Sequence, residues 1–217
     1  AVTGTGAARS AGTVRAVTGF LTISVGAALL VPLVTRGSYE ALVRTRWRWT
    51  SLFVAGLVLQ LVSEHLPHPG GHDLGFGALM AGEALLLAFC LRNLVHRGVV
   101  VVALGITCNA VAIGVNHGMP VDVPAAWERT GGMATTVKHH PRTSDDRLTW
   151  LGDTMYLRVT DEVLSVGDLV LAFGLLDVSF HASRRRRRRS DQARAATTKS
   201  NASSTRSSSS SRTLSRS

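Results

Sequence analysis

The chain has 217 residues, a mean hydropathy of +0.18 and a formal net charge of +10. Its hydrophobic share of 45% falls in runs that are too long for an ordinary soluble domain, which favours a membrane protein. Residues 184–217 hold 11 Lys or Arg and one Asp, whereas residues 1–183 hold 13 basic and 13 acidic side chains. Because the excess charge belongs to the tail alone, it does not indicate a nucleic-acid-binding fold.

Five apolar segments are predicted to cross the bilayer as helices, because each approaches the roughly 20 residues that a hydrocarbon core requires. In chain order they cover residues 16–34, 49–65, 74–91, 99–115 and 163–180. The expected fold class is an all-α integral membrane bundle of about five transmembrane helices over residues 16–183, with a long outer loop at 117–162. Residues 1–15 are expected to be a flexible N-terminus, and residues 184–217 a disordered Arg/Ser-rich tail.

The placement of arginines predicts the orientation of these segments. The connections after the first, third and fifth segments carry Arg36, Arg44, Arg46 and Arg48, then Arg92 and Arg97, then the run from Arg184. The connection after the second segment carries no Lys or Arg. Because basic connections tend to stay in the cytoplasm, we expect the N-terminus and the 117–162 loop outside and the C-terminal tail in the cytoplasm.

Polar side chains interrupt the apolar segments in their predicted outer halves or near their middle. The candidates are Gln60, Glu83, Asn109 and Asp168 inside four different segments, with Asn116, Asp153 and Ser165 beside or within the outer loop. An ionisable group at mid-bilayer costs on the order of 3 kcal/mol, so these groups are expected to face the bundle interior and pair. The pattern predicts an outward-facing polar cluster. Interhelical hydrogen bonding is the favoured interpretation, and a small hydrated ligand-binding pocket is the alternative.

Two further sets of residues have structural interpretations. Ser165 and Asp168 also fit the start of a helix, where a hydroxyl caps the backbone and an acid complements the dipole. Structural turns are predicted at Gly118, Pro120, Gly152 and Gly167.

Catalytic and metal-binding patterns are weak in this sequence. His65, His68 and His72 are residue types that zinc accepts, but the prolines and glycines between them favour a solvated loop. In the outer loop, a His and an Asp could serve acid–base chemistry, yet no G-x-S-x-G, H-E-x-x-H or Walker motif accompanies them. The candidate groups there are Lys138, His139, His140, Asp145, Asp146 and Asp153. The sequence therefore predicts no metal, no cofactor and no catalytic residue.

The strongest charge run lies directly after the last segment. It consists of Arg184, Arg185, Arg186, Arg187, Arg188 and Arg189. Such a run is expected to hold the tail in the cytoplasm and to bind anionic lipid headgroups, at about 1 kcal/mol for each basic residue near the surface. The tail has no aromatic side chain that could stack on bases, so nucleic acid is not an expected partner.

The order and spacing of the short motifs resemble a known family. The matching residues are Gln60, Asn93 with Gly98, Gly105 with Asn109, Asn116 with Gly118-Met119-Pro120, Leu151-Gly152-Asp153, and Ser165-Val166-Gly167-Asp168. This pattern resembles the DUF5317 family over about residues 16–181 and departs from it at His117, where a small residue is expected. The resemblance implies a small multi-pass protein of the bacterial cytoplasmic membrane with no assigned reaction.

Three functions fit these features. The favoured one is a non-enzymatic structural or assembly partner of another membrane protein, since the chain is small and rich in small residues along its helices. The alternative is a small-solute or ion permeation protein that uses the polar cluster. The second alternative is a membrane-bound enzyme that uses the outer loop. Expected partners are the lipid bilayer, anionic headgroups at the basic tail and another membrane protein.

Overall fold

The computed structural model describes residues 23–63, 66, 73–128, 133 and 135–184. Several sequence-based expectations lie outside these residues: the N-terminus 1–15, His65, His68 and His72, and the tail from Arg185 onward.

The described chain is mostly helical. In chain order the helices are α1 (Ile23–Val34), α2 (Tyr39–Val43), α3 (Thr50–Ser63), α4 (Asp73–Arg92), α5 (Val99–Asn116), α6 (Ala125–Glu128) and α7 (Val166–Arg184). Within the described residues, α4, α5 and α7 are long and apolar enough to cross a membrane. The helix α3 is apolar but has 14 residues, which span only about 21 Å at the helical rise of ~1.5 Å per residue. The described residues therefore confirm three membrane-capable helices but not the five predicted spans.

The segment between α5 and α7 forms a small sheet, which corrects the all-α expectation. Its strands are β1 (Met119–Val121), β2 (His139–Pro141), β3 (Asp153–Leu157) and β4 (Glu162–Ser165). They lie in the order β2-β1-β3-β4, with β1 parallel to both neighbours and β3 antiparallel to β4. The predicted last span began at residue 163, but residues 163–165 belong to β4, and α7 begins at Val166.

The β1 part of the sheet was not predicted because β1 and β2 are short and β1 pairs with distant strands, whereas β3 and β4 form a local hairpin that leads directly into the apolar segment of α7. Met119 pairs with His139 and Val121 pairs with Asp153, so no local turn signals the register. Three-residue strands are also too short to display the alternation of apolar and polar residues that marks a strand. We call residues 117–165 the cap.

Glycines allow neighbouring helices to pack closely. A Cβ added at Gly82 on α4 would lie 2.9 Å from the backbone oxygen of Gly56 on α3. A Cβ at Gly105 on α5 would lie 2.7 Å from the backbone nitrogen of Leu171 on α7. Since real Cβ atoms rarely approach so near, larger residues at these positions would separate the helices.

A hydrogen bond joins α7 to α1: the Ser179 hydroxyl on α7 donates to the carbonyl of Ala28 on α1.

The cap and the arginine-bearing connections lie at opposite ends of the helices. At the cap end, one apolar core joins α4 and α5 to the cap through Leu79, Ala112, Ile113, Met119, Val137 and Leu151. At the other end, Arg48 bonds to Asn93 and Arg184 bonds to Thr35, which brings the three arginine-bearing connections to one side.

Candidate functional site

The first part of the polar cluster joins α3 to α4. The Gln60 Nε2 donates a 2.9 Å hydrogen bond to Glu83 Oε1. Glu83 is 6% exposed, so its carboxylate depends on protein partners rather than solvent. The bond is possible because Gly82 lets the Gln60 side chain approach: a Cβ at Gly82 would lie 3.0 Å from Gln60 Cγ.

The second part joins α5 to the start of α7. Asn109 Nδ2 donates to Asp168 Oδ1 at 2.9 Å, and Ser165 Oγ donates to Asn109 Oδ1 at 3.0 Å. The Asp168 amide donates to Ser165 Oγ at 3.0 Å, and the Ser165 amide donates to Asp168 Oδ2 at 3.1 Å. These last two bonds form a capping box at the first turn of α7. Helix capping and interhelical bonding are thus combined in the same three side chains.

Gly167 lies in the first turn of α7, directly against Asn109. A Cβ at this position would lie 1.9 Å from Asn109 Oδ1 and 3.0 Å from the Gly105 carbonyl oxygen. The absence of a side chain at Gly167 is therefore what allows Asn109 to reach both Ser165 and Asp168.

The cap contributes its own titratable groups to the cluster. His139 Nε2 on β2 lies 3.6 Å from Asp153 Oδ2 on β3. Burial is the main cause that raises the pKa of Asp153 to about 8, with a further increase from the nearby charge of Asp168. Burial is also the main cause that lowers the pKa of His139 to about 3, helped by the positive charge of Lys138. Both groups are therefore neutral near pH 7, as an imidazole beside a carboxylic acid.

Lys138 links the helical and cap parts electrostatically. Its charge acts on Asp153 and also on Glu83, and Glu83 in turn feels the charge of Asp168. The structure thus brings together six of the seven sequence-selected polar residues: Gln60, Glu83, Asn109, Asp153, Ser165 and Asp168. Sequence reasoning considered Lys138 and His139 only among the outer-loop residues of a possible enzyme and did not select them for the polar cluster. A lone lysine in a polar loop carries no sequence signal of this electrostatic effect, because its position depends on β2, the strand that begins at the next residue and pairs with β1.

Asn116 lies at the end of α5 and serves a separate purpose. Its Nδ2 donates to the carbonyls of Ala112 and Arg147, at 2.9 and 2.8 Å, and its Oδ1 accepts from the Arg147 amide at 2.7 Å. Asn93, just after α4, binds the backbone amide and carbonyl of Arg48 in the same way, at 2.9 and 2.8 Å. Each asparagine therefore holds one residue of a distant connection against a helix end.

We expect Asn116→Ala to loosen the cap, because the Arg147 backbone would lose both of its bonds to this side chain. Two net hydrogen bonds correspond to about 2 kcal/mol of local stability. Limited proteolysis in detergent should therefore cleave more rapidly near Arg147. Asn93→Ala removes the equivalent bonds at the other end and serves as the control, so equal cleavage near Arg147 in both variants would contradict the prediction.

The four glycine and proline residues selected as turns lie in or beside the cap, with Gly167 already described. Gly118 has φ +150°, and a Cβ there would lie 2.9 Å from His140 Cδ2. A Cβ at Gly152 would lie 2.5 Å from the carbonyl oxygen of Pro120, which is fully buried. His117 ends α5 with φ 54°, and its ring stacks on Phe76 at 5.2 Å between centroids. The stacking gives a physical reason for an aromatic residue at a backbone position that favours glycine.

The first arginine of the basic run lies at the end of α7. Arg184 donates to the Thr35 carbonyl at 3.2 Å, and its guanidinium lies 4.3 Å from the centroid of the Phe180 ring. Arg185, Arg186, Arg187, Arg188 and Arg189 lie outside the described residues. Among the residues that the structure describes, no group of three His, Cys, Asp or Glu side chains is arranged to hold a metal ion.

A family model described as "Family of unknown function (DUF5317)" matches residues 44–178. The chain belongs to the DUF5317 family. The DUF5317 match includes α3, α4, α5 and the cap, together with all seven selected polar residues, and it begins later than the residue 16 expected from the motifs. No curated protein matched the chain, and no solved structure matched it.

Proposed function

We propose that this DUF5317 protein is a non-enzymatic membrane component that serves as a structural or assembly partner of another membrane protein. The observation that carries the proposal is that the selected polar side chains form hydrogen bonds within the protein. Gln60 and Glu83 bond to each other, Asn109 bonds to Ser165 and Asp168, and Asn116 bonds to the cap backbone. Their described hydrogen bonds thus tie helices to helices and helices to the cap.

The arrangement of the two ends supports a definite orientation. The arginine-bearing connections share one end of the helices, and the cap lies at the other. Basic connections favour the cytoplasm, so the cap would face the outside of the bacterial cytoplasmic membrane and the tail would face inside. The basic run from Arg184 to Arg189 would then meet the anionic lipid headgroups of the inner leaflet.

The outward faces of α3 and α4 supply the surface for a partner. On α3, the apolar side chains of Val54, Leu57 and Leu61 are exposed. On α4, Gly77 and Ala81 are exposed, and a Cβ at Gly77 would meet no atom within 4 Å. Small residues on an apolar helix permit close approach of a second helix, where dispersion contacts replace those with lipid.

Permeation is the second candidate function, because the charges of Lys138 and Asp168 act on the buried Glu83. A transport measurement separates it from the structural proposal. Asp168→Asn is expected to lower the stability of the detergent-solubilised protein by about 1 kcal/mol, because one acceptor for Asn109 or the Ser165 amide is lost. Proton, sodium and small-solute flux into proteoliposomes should equal that of empty liposomes for the wild-type chain and the variant.

The matched control is Asp145→Asn, at an exposed aspartate on the cap, which should leave stability unchanged. Flux in the wild-type chain that disappears in Asp168→Asn, with folding retained, would contradict a structural role and favour permeation.

The assembly role is tested by a photo-crosslinking residue at Leu57, which is 39% exposed on α3. In native membranes we expect one defined protein adduct from this position. The control is the same group at Leu86, which is 7% exposed in the bundle core and should give no adduct to another protein. Adducts to lipid alone from Leu57 would contradict the partner proposal.

A further inference from the structure

Two arginine-bearing segments are joined at the end of the helices opposite the cap. Residues 46–49 read Arg-Trp-Arg-Trp, and residues 92–97 read Arg-Asn-Leu-Val-His-Arg. Asn93 is fully buried and holds the Arg48 backbone through two hydrogen bonds. The Trp47 ring packs on His96 at 4.7 Å between centroids, and His96 Nε2 lies 3.3 Å from the Arg46 carbonyl oxygen. These contacts make the two segments one surface.

This surface has a concentrated positive charge. Arg46, Arg48, Arg92 and Arg97 are all exposed, and neither segment contains an Asp or Glu. The Arg92 guanidinium lies 4.7 Å from the centroid of the Trp49 ring. Stacking on an indole restricts the guanidinium while its N–H donors stay free to point outward, and a planar guanidinium binds a phosphate through two parallel hydrogen bonds.

Exposed apolar side chains lie among these arginines. Trp49 is 55% exposed, Leu94 is 44% exposed and Val95 is 73% exposed. The surface also lies where α4 ends at Arg92 and α5 begins at Val99, which are the limits of two membrane-capable helices. At the ends of membrane-capable helices, a mixture of guanidinium, tryptophan and aliphatic side chains is complementary to the headgroup region of a bilayer, where phosphates and acyl chains meet. The exposed aliphatic residues would not contribute to the binding of a free anion or a nucleic acid, so they favour a lipid as the ligand.

We infer that residues 46–49 and 92–97 form a binding site for the phosphodiester headgroup of an anionic phospholipid. Arg48 and Arg92 contact the phosphate, Arg46 and Arg97 supply further charge, and Trp49 with Leu94 contacts the upper part of the acyl chains. The site is built by the folded helix connections, and it is distinct from the basic run after α7 and independent of any protein partner.

The test is a titration of the full-length chain in neutral detergent with phosphatidylglycerol that carries a fluorescent acyl chain. The variant Arg48→Gln/Arg92→Gln should weaken binding about 25-fold, since each basic residue near the headgroups contributes roughly a factor of five. The control Arg147→Gln/Arg158→Gln removes two exposed arginines of the cap and should bind as the wild-type chain does. Both variants keep the basic tail, so its contribution cancels.

Two further measurements identify the ligand chemistry, and a second variant covers the case in which the first does not fold. Phosphatidylcholine should bind weakly and equally to all variants, because its headgroup has no net charge. Inorganic phosphate should not displace phosphatidylglycerol more than sodium chloride does at the same ionic strength. If Arg48→Gln/Arg92→Gln does not fold, Arg46→Gln/Arg97→Gln replaces it, and binding should again fall about 25-fold. Unchanged affinity in the folded variant, or specific displacement by phosphate, would overturn the lipid site.

Discussion

Gly167→Ala is expected to lower the free energy of unfolding in detergent by about 3 kcal/mol. The added Cβ would lie 1.9 Å from Asn109 Oδ1 and 2.7 Å from Asn109 Cγ, so the Asn109 side chain must leave its position. The variant then loses the bonds from Asn109 to Asp168 and from Ser165 to Asn109, at about 1 kcal/mol each. Overpacking against the Gly105 carbonyl adds a further ~1 kcal/mol or more.

The control for Gly167→Ala is the same substitution at Gly77 on α4. A Cβ at Gly77 would meet no atom within 4 Å, so the alanine adds no clash and gains up to ~1 kcal/mol of helix propensity. Denaturation of both variants in the same detergent, followed by circular dichroism, gives the comparison. Equal stability of the two variants would show that α5 and α7 can separate at no cost, which contradicts the contact at Gly167.

The stability of the wild-type chain should fall by about 2 kcal/mol between pH 6.5 and pH 8, because of Asp153. Its pKa rises from an ordinary value of 3.8 to about 8 in the fold, so the folded state holds a proton that the unfolded state has lost. Stability from this group is complete below pH 4 and is lost as the pH approaches 8. Each pH unit in that window corresponds to about 1.4 kcal/mol.

The titration of His139 limits the pH range in which the loss of stability caused by Asp153 can be measured. Its pKa falls from 6.5 to about 3 in the fold, so the unfolded state binds a proton that the folded state lacks between these values. Its contribution therefore rises with pH from 3 to 6.5 and offsets the loss from Asp153 over most of that range. Above pH 6.5 the contribution of His139 is constant, and only the loss from Asp153 remains.

The measurement is reversible denaturation of the wild-type chain and Asp153→Asn at a series of pH values. An amide keeps the shape of the carboxylic acid but does not titrate, so the stability of Asp153→Asn should be level from pH 6.5 to pH 8. Asp145→Asn, at an exposed cap residue, should keep the wild-type fall. A fall of the same size in Asp153→Asn would assign the titration to a different group.

The membrane-capable helices were predictable because hydrophobicity is a local property. The segments 74–91 and 99–115 predicted from composition agree closely with α4 and α5. The segment 49–65 was predicted as a span, but its described helix, Thr50–Ser63, has 14 residues, fewer than a hydrocarbon core requires. The boundary at residue 163 was wrong because Val163 and Leu164 are apolar and continue the hydrophobic run, although they belong to strand β4.

The arrangement of the polar residues was also predictable only in part. Depth along each helix predicted that Gln60, Glu83, Asn109 and Asp168 share a similar level, in the outer half or middle of their segments, and this placement relative to the membrane stays a prediction. Depth could not predict that they form two bonded groups, Gln60 with Glu83 and Asn109 with Asp168, because the choice of partner depends on which helices are neighbours. The distant pairing in the cap likewise brings Asp153 beside His139, which no spacing rule indicates.

The sequence by itself determined the apolar helices, the family, the uneven charge and the identity of the polar residues that interrupt the apolar segments. These follow from residue types and short spacings, since the transfer of a side chain into an apolar phase depends mainly on that side chain. Only the tertiary structure decided that the loop after α5 forms a sheet, that the charge of Lys138 acts on Glu83 and Asp153, and that the segments 46–49 and 92–97 are joined at the opposite end. The physical reason is that strand pairing, burial and electrostatics depend on distances between residues far apart in the chain, such as the 45 positions between Arg48 and Asn93.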